Sequence, residues 1–323
     1  CSVRGKVDTS GEFTIPSKLF FDYVSLLPNE TIQLEVIDEV LHVSCGPHKT
    51  KINGLDASEF PLVPKVDTSS VHQIPVDDFK RALARVLFSV ASNESRPELT
   101  GVSMQFSPGT EGRLTLAATD SYRLAECVIP VVSPVSEEQK LIVPAKTLSE
   151  ICRILSVFKD VVDCPTSVEM GVSDSQVVFT YGSVEIISRT IEGNYPDYKQ
   201  IIPKSFQTET MLDRADFGKA VKTASLFSRT GLFDVTLELD PSDKQLRVKA
   251  LDTNRGENTA VCGADISGQK NTVTVNYRYL LDGLNAMDTD EVFFQMIDPA
   301  NPCLVTPKDK SMQYLYIVMP IKQ

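Results

Sequence analysis

The chain has 323 residues, 42% of them hydrophobic and 23% charged, which is enough apolar material for several cores. No apolar run approaches the ~20 residues of a membrane-spanning helix. With 32 Lys and Arg against 43 Asp and Glu the net charge is −11, which argues against a uniformly basic nucleic-acid surface but leaves room for a basic inner face within an acidic shell. Seven cysteines (Cys1, Cys45, Cys127, Cys152, Cys164, Cys262 and Cys303) form no CxxC pair and read as reduced, mostly buried cytosolic thiols. No signal peptide is visible. The chain opens on Cys1 without an initiator Met and reads as a fragment.

In chain order, one pattern of about 65 residues recurs five times. Its copies open at Ile15, Ile74, Val143, Leu212 and Val275. From each opener, apolar residues follow five, nine and twelve positions on: Phe20, Val24, Leu27; Phe79, Leu83, Val86; Leu148, Cys152, Leu155; Phe217, Val221, Ala224; and Leu280, Leu284, Met287. That spacing draws one stripe along an amphipathic helix. Pro16, Pro75 and Pro144 sit where a first-turn proline is tolerated, and Asp77 and Asp78 suit the positive end of a helix dipole. Short alternating runs after each helix predict antiparallel strands: Ile32–Val36, Leu41–Ser44, Leu114–Ala118, Val177–Tyr181, Val184–Ser188, Val235–Leu239, Leu246–Ala250, Val273–Val275 and Tyr314–Met319.

The copies alternate between two kinds. Those at 74 and 212 share Asp78-Phe79…Ala82 and Asp216-Phe217…Ala220, then loops ending Thr100-Gly101 and Thr230-Gly231. Those at 15 and 143 end alike, in Glu59-Phe60-Pro61…Pro64 and Asn194-Tyr195-Pro196…Pro203. One copy of each kind makes a module, which predicts domains at 1–66, 71–203 and 208–323, joined by short linkers at 65–70 and 204–208. The first holds only a second-kind copy, so its partner half is expected upstream. The predicted class is α+β: repeated modules of helices on antiparallel sheets.

Catalytic signatures are absent. His42, His48 and His72 fall in no metal-ligand spacing, and there is no GxGxxG, Walker A or GxSxG sequence. Glu137-Glu138 reads as a solvated turn. Asp288-Thr289-Asp290-Glu291 lacks the glycine and terminal glutamate of a calcium loop. No catalytic residue, metal or cofactor is expected.

Segment Ala117–Glu126 (AATDSYRLAE) resembles an element of the bacterial DNA polymerase III β subunit family, the β sliding clamps. Further resemblances fall in register with the repeat: Thr14-Ile15-Pro16…Phe20-Phe21-Asp22, Ser95–Gly101, Asn194–Lys199 running on to Ile201-Ile202-Pro203, Asn276–Asn285, and Tyr316–Lys322. The resemblance spans nearly the whole chain, apart from about half of the family's first domain. It implies the ring-forming DNA clamp fold, with helices around a pore and sheets outside. It implies a non-catalytic processivity factor of the replicative polymerase, a cytoplasmic bacterial protein that encircles duplex DNA without regard to sequence. Its partners would be DNA polymerases, the clamp loader, repair proteins and a second copy of itself in a head-to-tail homodimer.

Site residues carry over from the same resemblance. A groove for partner peptides would be lined by Leu99, Thr119, Ser121, Tyr122, Arg123, Leu124, Pro196, Ile201, Ile317, Val318, Met319 and Pro320. Gln200, where many relatives carry arginine, and the polar tail end Gln323 depart from the pattern. DNA would face Lys80, Arg81, Arg85, Lys146, Arg153, Lys219, Lys222 and Arg278. A subunit contact would set Tyr23, Leu27 and Ile52 against Leu226 and Phe227. Two other readings compete: a DNA-modifying enzyme on the same repeat, which lacks a base or metal cluster, and a clamp-like scaffold that binds partners without closing around DNA.

Overall fold

A computed structural model describes residues 5–60, 70–109, 112–157 and 164–322. Cys1, Pro61, Pro64, most of the first linker and Gln323 lie outside the described residues. The chain forms two compact units, residues 2–65 and residues 66–323.

In the smaller unit, β1 (Phe13–Thr14) leads into α1 (Ser17–Ser25), followed by β2 (Gln33–Ile37), β3 (Val40–Cys45), β4 (His48–Asn53) and β5 (Leu55–Asp56). The sheet order is β2-β3-β4, all antiparallel, with β1 paired separately to β5. Strand β3 alternates strictly, burying Leu41, Val43 and Cys45. Leu41 and Val43 form the core with Ile52, and Phe13, Ile15, Phe20, Tyr23 and Ile32 pack against it. Helix α1 buries no residue fully, and all of β2 is exposed.

The larger unit opens with β6 (Ser70–Pro75) and α2 (Val76–Val86), then β7 (Gly101–Ser107), β8 (Arg113–Thr119), β9 (Arg123–Pro130) and β10 (Gln139–Pro144). Helix α3 (Ala145–Val157) and strands β11 (Ser167–Val172), β12 (Gln176–Tyr181) and β13 (Val184–Arg189) follow. The second half runs β14 (Thr208–Asp213), α4 (Arg214–Ser225), β15 (Asp234–Asp240), β16 (Gln245–Asp252), β17 (Gly256–Gly268), β18 (Asn271–Asn276) and α5 (Tyr277–Asn285). It closes with β19 (Glu291–Met296), β20 (Cys303–Pro307) and β21 (Tyr314–Val318).

Twelve strands form one antiparallel sheet in the order β10-β7-β8-β9-β21-β20-β19-β14-β17-β16-β15-β18. The long β17 serves two neighbours, pairing β16 along Gly256–Gly263 and β14 along Ala264–Gly268. A second sheet runs β13-β12-β11-β6. Helix α2 packs on β9 and against α3, and α4 packs on β17 and against α5.

The repeat is a strand-to-helix switch. Four of the expected helix openers, Ile74, Val143, Leu212 and Val275, are instead buried residues near the ends of β6, β10, β14 and β18. The side-chain period changes from 2 to 3.6 just beyond them. Leu27 and Met287, expected on helices, lie past the ends of α1 and α5. Pro16 and Pro75 occupy the cap position rather than the first turn, and neither caps through a side chain. Asp213 and Asn276 do cap α4 and α5, accepting from Asp216 N–H at 2.8 Å and from Arg278 N–H at 2.9 Å.

Candidate functional site

Strands β8 and β9 form a hairpin turned by Asp120, Ser121 and Tyr122. Ser121 sits at φ 78°, a conformation costly for a residue with a Cβ, and the turn is held by side chains on every side. Asp120 Oδ1 accepts from the Tyr122 and Arg123 N–H groups at 2.9 and 3.0 Å, an Asx turn. Thr119 Oγ1 accepts from Ser121 N–H at 3.1 Å and donates to the Arg123 carbonyl at 2.6 Å. The Thr119 N–H donates to Tyr195 Oη at 3.0 Å. Across the sheet, β9 pairs with β21, Leu124 opposite Ile317, and the Met319 N–H donates to the Tyr122 carbonyl at 2.9 Å.

The alternation of strand side chains sorts the expected groove residues into two sets. Leu99, Leu124 and Ile317 are buried in one apolar cluster with Ala117, Ile142, Tyr195, Tyr198 and Leu304, and Met319 packs against its edge. Val318 points to the opposite face, into the main core, and is fully buried there. Its place is structural, because residues 317 and 318 of a strand cannot share a face. The accessible members are Ser121 and Tyr122, the latter 64% exposed, Ile201, 41% exposed, and the partly exposed Pro196, Met319 and Pro320. Cavities of about 510 and 400 Å³ occur in this unit, the first lined in part by Ile142 and Tyr195, and none of the twelve expected residues lines either.

Sequence reasoning missed Tyr195, Tyr198, Ile202, Leu304 and Phe206 of this cluster. The Tyr195-Pro-Asp-Tyr198 segment was in view, but which strand it covers depends on long-range contacts. Burial drives the Tyr195 phenol pKa well up, so it stays neutral and serves as an acceptor for Thr119. Burial, then the neighbouring Glu126, raises that of Tyr198, which donates to Glu126 Oε2 at 2.6 Å.

Arg123 has a side chain only 12% exposed. Its Nε donates to Asp120 Oδ2 at 2.9 Å and its Nη1 to Asp282 Oδ2 on α5 at 2.6 Å. Its guanidinium carbon lies 4.5 Å from the Tyr279 ring centre and 5.4 Å from that of Phe88. Burial opposes the charge, yet the pKa is raised. The neighbouring Tyr316 phenol contributes no charge near pH 7, because burial drives its own pKa well up and keeps it neutral. The two carboxylates therefore hold the charge.

The expected DNA-facing cations all lie on helices. Arg81, Lys146, Arg153, Lys219, Lys222 and Arg278 are exposed, and Lys80 is partly so. Arg81 pairs with Asp78 at 2.6 Å and Arg153 with Glu150 at 2.5 Å, and Arg278 lies 3.6 Å over the Phe233 ring. Arg85 is half-buried, and its positive charge partly offsets the upward push that burial gives the Cys127 thiol.

Of the expected subunit-contact residues, Leu226 is 67% exposed and Phe227 packs partly on the main core. Leu27 is partly exposed, and Tyr23 packs against the core of the smaller unit. Ile52 is 3% exposed inside that core, because it points inward from β4. It supports the surface from beneath and does not present itself to another chain.

Among the described residues, no group of three or more His, Cys, Asp or Glu side chains is placed to hold a metal ion, and no helix is long and apolar enough to cross a membrane.

Helix-on-sheet modules joined edge to edge through β9 and β21, with an apolar cluster beneath that joint, define a modular α+β protein of the DNA-clamp type. The chain matches the DNA polymerase III beta subunit N-terminal domain over residues 2–64, its central domain over 73–197 and its C-terminal domain over 199–322. It therefore belongs to the DNA polymerase III beta subunit family, the sliding clamps. It is 30% identical over 319 residues to the beta sliding clamp of Staphylococcus aureus, covering 98% of this chain and 81% of the relative. The Bacillus subtilis DNA polymerase sliding clamp superposes with a TM-score of 0.90 at 27% identity, over 98% of this chain and 82% of that one. A Pseudomonas aeruginosa sliding clamp bound to griselimycin superposes with a TM-score of 0.89 at 26% identity, over 97% and 82%. The match of the N-terminal domain model to residues 2–64 gives no support to the expectation that half of that domain is missing.

Proposed function

We propose that this chain acts as a DNA sliding clamp that closes with a second copy into a ring around duplex DNA and tethers partners through the surface at the β9–β21 joint. It is a non-catalytic accessory subunit, and the polymerase activity belongs to the holoenzyme it serves. The observation that carries the tethering role is the hairpin turn at 119–123, hydrogen-bonded to Met319 over an apolar cluster. Tyr122, Ile201, Pro196, Met319 and Pro320 give that surface accessible apolar area on a rigid frame, which suits short linear motifs from polymerases, the clamp loader and repair proteins. Leu99, Leu124 and Ile317 shape it from below.

Helices α2 to α5 carry the cations that attract phosphates. Diffuse contact holds the duplex without fixing a register, as sliding requires. We assign domains at 1–66, 71–203 and 208–323, a subunit contact of Tyr23 and Leu27 with Leu226 and Phe227, and a cytoplasmic setting. The test uses two ligands on the whole chain. Griselimycin should bind with heat detectable by titration calorimetry. Linear duplex DNA should bind weakly, without sequence preference, and less well as salt rises. A folded chain that ignores griselimycin sinks the tethering role; a base-specific footprint sinks the sliding role.

A further inference from the structure

We infer that Asp282 is a positioning residue of this partner-binding surface, acting through Arg123. The inference rests on the tethering reading above. The Arg123 guanidinium is occupied within the protein, between two carboxylates and beside the Tyr279 and Phe88 rings. Only 12% of its side chain is exposed. One of its anchors is local: Asp120 lies three residues away and already accepts the N–H groups of Tyr122 and Arg123. The other is remote, because Asp282 belongs to α5, 159 residues further along the chain.

These links run in series. Asp282 holds Arg123, Arg123 and Asp120 hold the turn, and the Tyr122 carbonyl of that turn receives the Met319 N–H. The turn contains a left-handed serine, so it needs external support to keep its shape. The pair with Asp282 ties it to α5, beside the Arg123 contact with the Tyr279 ring on the same helix. The Asp282 side chain is 46% exposed, so the pair is partly screened and adds little to global stability. Its effect is the placement of Tyr122 and Met319, two accessible members of the surface.

The test is amide hydrogen exchange on the whole chain, with griselimycin titration beside it. Asp282→Asn should speed exchange at the Met319 amide by about fivefold, the size of a partly screened ion pair, and leave the amides of β7 unchanged. Asp282→Glu should restore protection. In an Arg123→Met background, Asp282→Asn should change nothing further. Griselimycin affinity should fall about fivefold in Asp282→Asn and recover in Asp282→Glu. Unchanged Met319 exchange in Asp282→Asn, no rescue by glutamate, or an equal effect without Arg123 overturns the inference. Failure of the wild-type chain to bind griselimycin while Met319 still responds to Asp282 defeats the tethering reading alone.

Discussion

Leu124 is fully buried in the cluster that holds Leu99, Tyr195 and Ile317, whereas Met319 rests on the edge of the same cluster, partly exposed. Truncating the two has different costs. Leu124→Ala leaves a cavity and should cost about 2–5 kcal/mol of stability. That corresponds to a drop of at least about 4 °C in the melting temperature of a unit this size. Met319→Ala should weaken griselimycin about tenfold through loss of one adaptable anchor, with little thermal effect. Scanning calorimetry and titration on both variants separate the roles. Loss of binding in Leu124→Ala with an unchanged melting temperature would put that side chain in direct contact with the ligand. The segment Ala117–Glu126 was legible in the sequence as a resemblance and not as a turn, although Thr119 and Asp120 carry the acceptors a tight turn uses. That Arg123 is occupied by Asp282 was not, because the partner comes from a helix whose approach is fixed only when β9 pairs with β21.

At the scale of helices, the stripes were readable because the buried set keeps helical spacing: Phe79, Ala82, Leu83 and Val86 on α2, and Phe217, Ala220, Val221 and Ala224 on α4. The strands that precede α2, α3 and α4 were merged into those helices, since a short apolar run ending at a buried residue has no period of its own, whereas Val273–Val275 before α5 was read as a strand. Charge on these helices was legible by position but not by availability. Arg81 and Arg153 each have a carboxylate one turn earlier, Asp78 and Glu150. Lys219 and Lys222 on α4 are exposed and form no ion pair among the described residues. A cation already paired within the helix offers less net charge to a phosphate. Lys219→Ala with Lys222→Ala should therefore flatten the slope of log affinity against log salt for duplex DNA by about 2. Arg153→Ala should flatten it by less than about 1, because it also frees Glu150. Fluorescence anisotropy across a salt series reads both slopes. Equal effects at α3 and α4 would show that intrahelical pairing does not govern contact with DNA.

At the scale of the molecule, the two units differ in how much they bury. Residues 66–323 hold a continuous core that draws on α2, α3, α4 and α5 and on both sheets. The described part of the smaller unit buries only Leu41, Val43, Cys45 and Ile52 among its apolar residues, while Leu19, Phe21, Leu26, Leu34 and Val36 stand exposed. Local opening costs least where few apolar contacts are lost, so amide protection should follow this contrast. The amides of α1 and β2 should exchange much faster than those of α4 and β7 when the chain is dilute. The exposure of β2 on both faces was not legible in the sequence. That depends on what stands opposite a strand rather than on its own alternation. Protection in α1 and β2 that rises with protein concentration would mean that a second copy covers this surface by mass action. Protection equal to that of α4 at every concentration would mean that the few buried residues of β3 and β4 suffice, and the argument from buried area would fail.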